Sequence, residues 1–131
     1  MILDTEFLIS LRAEEPDAVE LAAELEATGV PTRIPTIAIQ ELYVGVGAGA
    51  DANENVRAYE ALITNKPVVD LDENISRRAG VLEGQHLTSD TKPSLGPGDA
   101  IVAATGLVHN EPVVTNDDDF ASVDGLNVEL Y

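Results

Sequence analysis

The chain contains no cysteine. That excludes a disulfide framework, a thiol nucleophile and a zinc–thiolate site. No apolar run approaches the roughly 20 residues needed to cross a bilayer. The opening MILDTEF lacks the basic and long apolar regions of a signal peptide. A cytoplasmic protein without membrane attachment is expected. Positive charge is scarce: 7 Lys plus Arg stand against 24 Asp plus Glu, a formal net charge of −17 over 131 residues. Only Lys66 and Lys92 are lysines. In dilute salt so acidic a surface is a poor partner for nucleic acid. A histidine pair spaced for a metal is also missing. His86 and His109 each end a helical segment, where C-terminal capping accounts for them. GVGAGA (45–50) follows a helix and precedes no GK[ST], so it is no phosphate loop. Ser10, Ser76 and Ser89 lie in no nucleophile-elbow context.

What is present is acid and a core. Charge of one sign repels itself in dilute salt, whereas in molar salt the Debye length falls to about 3 Å. The composition therefore reads as halophilic. It also makes acidic clusters common by chance, so a single Asp needs more than its presence to be functional. With 44% hydrophobic residues, recurring periodically, the chain can fold as one domain over residues 1–131.

The pattern alternates strands and helices. MIL is a short apolar run ending at Asp4, and Phe7, Leu8 and Leu11 then share a helix face. Pro16 opens a second helix, PDAVELAAELEAT, which Gly29 ends. VPTRIPT reads as a short strand that its prolines mark as an edge strand or a brief one. IAIQELYVGVGA is helical up to its glycines, with GAGADAN as a turn. ENVRAYEALIT is a helix, PVVDLD a strand and ENISRRAGVLEGQHL a helix. TSDTKPSLGPG is a loop, and DAIVAATGLVH is apolar nearly all round, hence a buried helix. PVVT and NVELY are strands around the turn DDDFASVDG. Such alternation implies βαβ units and a mostly parallel sheet of about five strands in a three-layer α/β/α sandwich.

Four acids fall at informative places. Asp4 follows the first strand and Asp117 the fourth. Asp99 opens the buried helix, and Glu41 sits inside an apolar helix. Strand C-terminal ends and helix N-termini share one edge of a parallel sheet, so the four converge there. Each has a plainer reading. Asp4 and Asp99 could be helix N-caps, Glu41 a solvated helix position, and Asp118 and Asp119 a solvated turn. Together, uncompensated acids are costly unless a cation neutralises them. Oxygen ligands alone suit Mg²⁺ or Mn²⁺, and such a metal serves phosphate chemistry. Arg77 and Arg78 form a small basic spot, either a salt-bridging helix face or an RNA-backbone contact.

In this order, ILDTEFLI, IPTIAIQELYVG, LGPGDAIVAATGLVHNEPVVTNDDDF and LNVELY resemble a PIN domain, specifically the VapC-like toxin ribonucleases of toxin–antitoxin pairs. The resemblance spans the whole chain, and DAIVAATGL followed by VVTNDDDF is its most specific part. It implies catalytic acids at Asp4, Glu41, Asp99 and Asp117, with Asp4, Asp99 and Asp117 holding Mg²⁺ or Mn²⁺. Thr115 and Asp119 match supporting positions of the family; Asp118 matches none. The resemblance further implies endonucleolytic cleavage of RNA, a homodimer and a small antitoxin partner, whose groove is expected around Ile37–Val46 and the early helices. The chain departs from the family in its charge. Two readings within the same fold stay open: an inactive PIN-like binding module, and an RNA-processing PIN nuclease without antitoxin. A phosphoacceptor receiver domain fits poorly, because one Asp follows the first strand and no lysine occurs after Lys92. A haloacid-dehalogenase phosphatase needs DxD where DTEF stands.

Overall fold

Adjacent side chains of a strand point to opposite faces of its sheet. In β1 (Ile2–Leu3) both residues are apolar and fully buried, as both faces of a central parallel strand must be. The structure is a computed structural model and describes residues 1–49 and 51–131. In chain order α1 (Thr5–Arg12), α2 (Pro16–Ala27), β2 (Ile34–Pro35), α3 (Thr36–Ala48), α4 (Ala52–Ile63), β3 (Val68–Val69), α5 (Glu73–Leu87), α6 (Pro97–His109), β4 (Val113–Thr115) and β5 (Val128–Leu130) follow.

One sheet has the order β1-β4-β5 and a second pairs β2 with β3; all these pairings are parallel. A parallel bridge, Ile2 to Arg33, joins the two. Arg33 N–H donates to the Met1 carbonyl (2.8 Å), and Leu3 N–H to the Arg33 carbonyl (3.0 Å). The strands therefore lie β3-β2-β1-β4-β5, and chain direction across the sheet reverses between β1 and β4. That reversal opens a crevice at the carboxyl ends of these two strands.

Two cores flank the sheet. Ile2 and Val113 pack on one side with Ile75 and Leu82 of α5 and Val102 of α6. Leu3 and Val114 pack on the other with Phe7 and Leu8 of α1, Leu21 and Leu25 of α2, and Leu42 of α3. Burying a side chain of this size contributes roughly 1.5–3 kcal/mol. α6 approaches the sheet closely at one glycine. At Gly106 an added Cβ would lie 2.8 Å from Leu126 Cδ1 and 2.9 Å from both Val113 Cγ2 and the Glu111 carbonyl. Asn110 ends α6 in the left-handed region at φ 53°, where Asn is tolerated.

Several local expectations shift. β2 is brief, as its prolines suggest, but it is not an edge strand: it pairs with β3 on one side and is bridged to β1 on the other. α3 runs through Gly45 and Gly47 to Ala48, absorbing about 1 kcal/mol per glycine relative to alanine. The expected turn GAGADAN includes Ala50, which lies outside the described residues. His86 is not a cap. It is buried, and its Nδ1 donates to the Pro93 carbonyl at 2.9 Å, tying the loop after α5 back onto that helix. No helix among the described residues is long and apolar enough to cross a membrane.

Candidate active site

Asp4 is the residue on which β1 ends and α1 begins. Its Oδ1 accepts the Thr5 N–H at 2.8 Å, so the capping reading is correct as far as it goes. The other oxygen does more: Oδ2 accepts the Thr115 hydroxyl at 2.8 Å, across from the end of β4. The same Thr115 oxygen accepts the Asp117 N–H at 3.1 Å. One hydroxyl thus bridges the two strand ends that border the crevice. Asp117 in turn accepts the Asp119 N–H at 2.9 Å and opens the 3₁₀ turn Asp118–Ser122.

Asp4 is only 4% exposed. Burial pushes its pKa from 3.8 up to about 7. The Thr115 and Thr5 hydrogen bonds oppose that rise, and the charges of Asp99 and Glu41 reinforce it. Asp99 sits in the first turn of α6, whose N-cap is Gly96 with Pro97 as first helical residue. It is therefore not the cap, and that plainer reading falls away. Its pKa is raised by burial first, then by the charges of Asp117, Glu41, Asp119 and Glu6. The helix N-terminus offers Asp99 partial compensation.

Glu41 projects from α3 and is half-buried. Its Oε1 accepts the Thr5 hydroxyl at 2.8 Å. Its Oε2 lies against the start of α6, where a Cβ on Gly98 would stand only 2.9 Å away. Glycine at 98 lets the Glu41 carboxylate approach the α6 N-terminus.

Asp4, Glu41, Asp99 and Asp117 are thus brought into one electrostatic neighbourhood, and Asp119 borders it. Asp118, exposed on the turn, is not among the charges pressing hardest on Asp99. Thr5, Glu6 and Gly98 belong to the same neighbourhood and were not singled out from sequence. Thr5 has a visible signal, a hydroxyl directly after Asp4. Gly98 has none, since the need for a missing Cβ arises from a distant residue.

Acids that press on one another in this way, with no Lys or Arg offsetting them among the described residues, favour a cation. The donors are all oxygen, the chemistry of a hard divalent ion. Among the described residues no three acidic or histidine side chains stand close enough to grip one ion directly. The set fits an ion that keeps part of its water shell, as Mg²⁺ does.

The chain is similar to Ribonuclease VapC5 of Mycobacterium tuberculosis, 29% identical over 135 residues, covering 98% of this chain and 92% of that protein. Its fold is similar to a chain of VapBC2 from Rickettsia felis bound to a promoter DNA fragment. That match has a TM-score of 0.87 and 21% identity, covering 99% of this chain and 97% of the other. DNA-bound VapBC from Salmonella typhimurium matches with a TM-score of 0.85 at 22% identity, covering 98% and 95%. VapBC-5 from Mycobacterium tuberculosis matches with a TM-score of 0.69 at 25% identity, covering 98% and 94%. The family model of the PIN domain matches residues 1–126, nearly the whole chain, and the chain belongs to that family.

Proposed function

We propose that this chain is a metal-dependent endoribonuclease and the toxin of a toxin–antitoxin pair. One observation carries the reading. Asp99, half-buried at the crevice, is pushed upward by its burial and by four other carboxylates. Such repulsion has a use where a cation binds. The name of the similar mycobacterial ribonuclease and the VapBC names of the structural relatives support the RNA substrate and the antitoxin.

In this reading Asp4, Asp99 and Asp117 hold Mg²⁺ or Mn²⁺. A bound ion of this kind lowers the pKa of water and offsets charge on the phosphate. Thr115 keeps Asp4 and the Asp117 backbone in register. Thr5 holds one oxygen of Glu41, which leaves the other to accept a proton from the attacking water. Asp119 adds negative charge at the rim. The acidic surface still has to admit RNA. A salt-rich cytoplasm would screen the −17 charge, and metal would bridge to phosphate.

The antitoxin is proposed to cover the α1–α2–α3 side. A groove of about 460 Å³ between α1, α2 and the segment after α4 is lined by Phe7, Leu11, Ala22, Leu25 and Val30, and Tyr43 and Val44 are separately exposed on α3. A homodimer is proposed as the working state.

The test uses purified protein and RNA with Mg²⁺, Mn²⁺ or EDTA. Internal cleavage with either ion and none with EDTA is expected; metal-independent cleavage, or none, would overturn the reading. Co-expression with a neighbouring small gene should yield a complex that suppresses cleavage. Cleavage without any such gene would favour an RNA-processing nuclease.

A further inference from the structure

Away from the acidic crevice the sign of the surface inverts. A depression of about 700 Å³ lies where the second half of α5 meets the loop after it and the segment after the 3₁₀ turn. Arg78, Gln85, His86, Ser89, Lys92 and Asp124 supply its polar lining. The chain as a whole carries 24 acids to 7 Lys plus Arg, yet this lining holds two of those cations, a histidine and a single acid. Charge scattered at random over this surface would give the opposite balance.

Three of the five cations elsewhere are ion-paired, whereas Arg57 and Lys66 have no ion pair among the described residues. Arg12, Arg33 and Arg77 are paired with Glu54, Glu111 and Glu73. Arg78, exposed and facing the depression, has no ion-pair partner among the described residues. Lys92 Nζ lies 2.7 Å from Asp124, but Asp124 is 93% exposed and a solvated anion is easily exchanged for another. Lys92 first, and His86 more weakly, hold the Asp124 carboxyl below the usual range, so the positive potential already acts on an oxyanion there. Gln85 and Ser89 add neutral donors.

Two of its walls are linked along the chain to the acidic residues. The loop bearing Lys92 runs on into the first turn of α6 and Asp99. The segment bearing Asp124 follows Asp117, Asp119 and the 3₁₀ turn. We propose that this depression seats a backbone phosphate of the RNA strand, with Arg78 and Lys92 as its charged contacts and Asp124 as the anion displaced. The proposal rests on the ribonuclease reading. It gives an acidic protein a defined place to hold its polyanionic substrate, with the scissile bond at the metal and a flanking phosphate at the cations.

The experiment measures binding of a short labelled single-stranded RNA in EDTA, where no cleavage is expected, over a range of KCl concentrations. It compares wild type with Arg78→Gln and Lys92→Gln, and with Arg57→Gln as a cation outside the depression. Each phosphate contact on single strands contributes about 0.7 to the slope of log affinity against log salt. Arg78→Gln and Lys92→Gln should each lower that slope by about this amount and weaken binding several-fold, while Arg57→Gln should not. In the metal-supported reaction the same two variants should raise KM and leave kcat near wild type. Unchanged slopes, absence of wild-type binding at every salt, or an equal loss in Arg57→Gln would overturn the phosphate seat. Wild-type cleavage with unaltered KM in Arg78→Gln would sink the seat and spare the ribonuclease reading. Failure of the wild type to cut RNA would sink the ribonuclease reading itself. Unchanged melting temperatures guard against misfolding.

Discussion

Carboxylates at the two ends of one sheet are treated in opposite ways. At the amino end of β4, Glu111 is desolvated, yet its pKa falls below the usual range. Hydrogen bonds and charge from Arg33 and the Met1 ammonium outweigh the burial. At the carboxyl end of the same strand, Thr115 leads to Asp4, Asp99 and Asp117, where burial and like charge push Asp4 and Asp99 upward and, among the described residues, no arginine or lysine offsets them. The first arrangement stabilises the fold. The second costs stability and is tolerable only where something else gains from it. A compensated acid reads as structural, and an uncompensated group of acids is a candidate site.

The strongest way to break this contrast is to remove one charge at the uncompensated end. Asp99→Asn keeps the shape and removes the charge of a proposed ligand. Metal-supported cleavage is expected to fall about 100-fold or more, a loss of about 2.7 kcal/mol in transition-state stabilisation. In EDTA the same variant should melt at an equal or higher temperature than wild type, because repulsion is relieved. A variant that melts well below wild type while keeping its activity would show Asp99 to be structural.

pH sharpens the contrast further. In the folded, metal-free protein Asp4 titrates near 7, against 3.8 for the free side chain. Between those values the folded state holds the extra proton. Its contribution to stability is therefore full at the acidic end and is lost as the pH rises to 7, by an amount of order a few kcal/mol. Urea denaturation in EDTA at pH 5 and pH 7 should show lower stability at pH 7, and Asp4→Asn should flatten the slope. Glu111 has the opposite sign: its stabilisation is present above the ordinary carboxylate range and lost as the pH falls below it. Arg33→Ala should cost about 1–2 kcal/mol near neutral pH by leaving Glu111 without its main partner, with kcat unchanged. Loss of cleavage on that substitution, at unchanged stability, would erase the distinction between the two ends.

A broader form of the same contrast involves salt. With −17 on the chain, molar KCl should raise the wild-type melting temperature by several degrees through screening. A flat response would contradict the halophile reading and leave the fold assignment intact, since that rests on hydrophobic periodicity.

Much of this was legible in the residues. Ile2–Leu3 and Val113–Val114 are continuous apolar pairs because both faces of a central parallel strand are buried, and the apolar run of α6 announced its burial. Asp4 and Asp117 could be placed together from strand ends alone. Element boundaries were less legible. Pro97 already begins α6, so Asp99 moved from cap to first turn, and α3 runs past two glycines because packing outweighs propensity. The Thr5–Glu41 hydrogen bond and the close approach at Gly98 depend on tertiary neighbours, and no local pattern encodes them. The cationic depression was half visible: Arg78 stood out beside Arg77, but only the fold separates the paired arginine from the unpaired one and brings Lys92 to it.

The smallest expected effect is the most discriminating. Asp117, Asp118 and Asp119 are the same residue type in a row, so a substitution at each asks only where the side chain points. Asp117 N–H is fixed by Thr115, and the Asp117 carboxylate is half-buried at the head of the 3₁₀ turn. Asp119 is exposed but close enough for its charge to reach Asp99. Asp118 is exposed and engages neither group. Asp118→Asn should therefore leave cleavage within about twofold of wild type and stability within about 0.5 kcal/mol, as for other solvated surface positions. Asp117→Asn should lose most of the activity, and Asp119→Asn should fall between the two. A reversed order, with Asp118→Asn the inactive variant, would place the fourth ligand one residue later and require a different turn geometry when metal is bound. Equal, small effects at all three would remove this turn from the site and leave Asp4, Glu41 and Asp99 to do the chemistry.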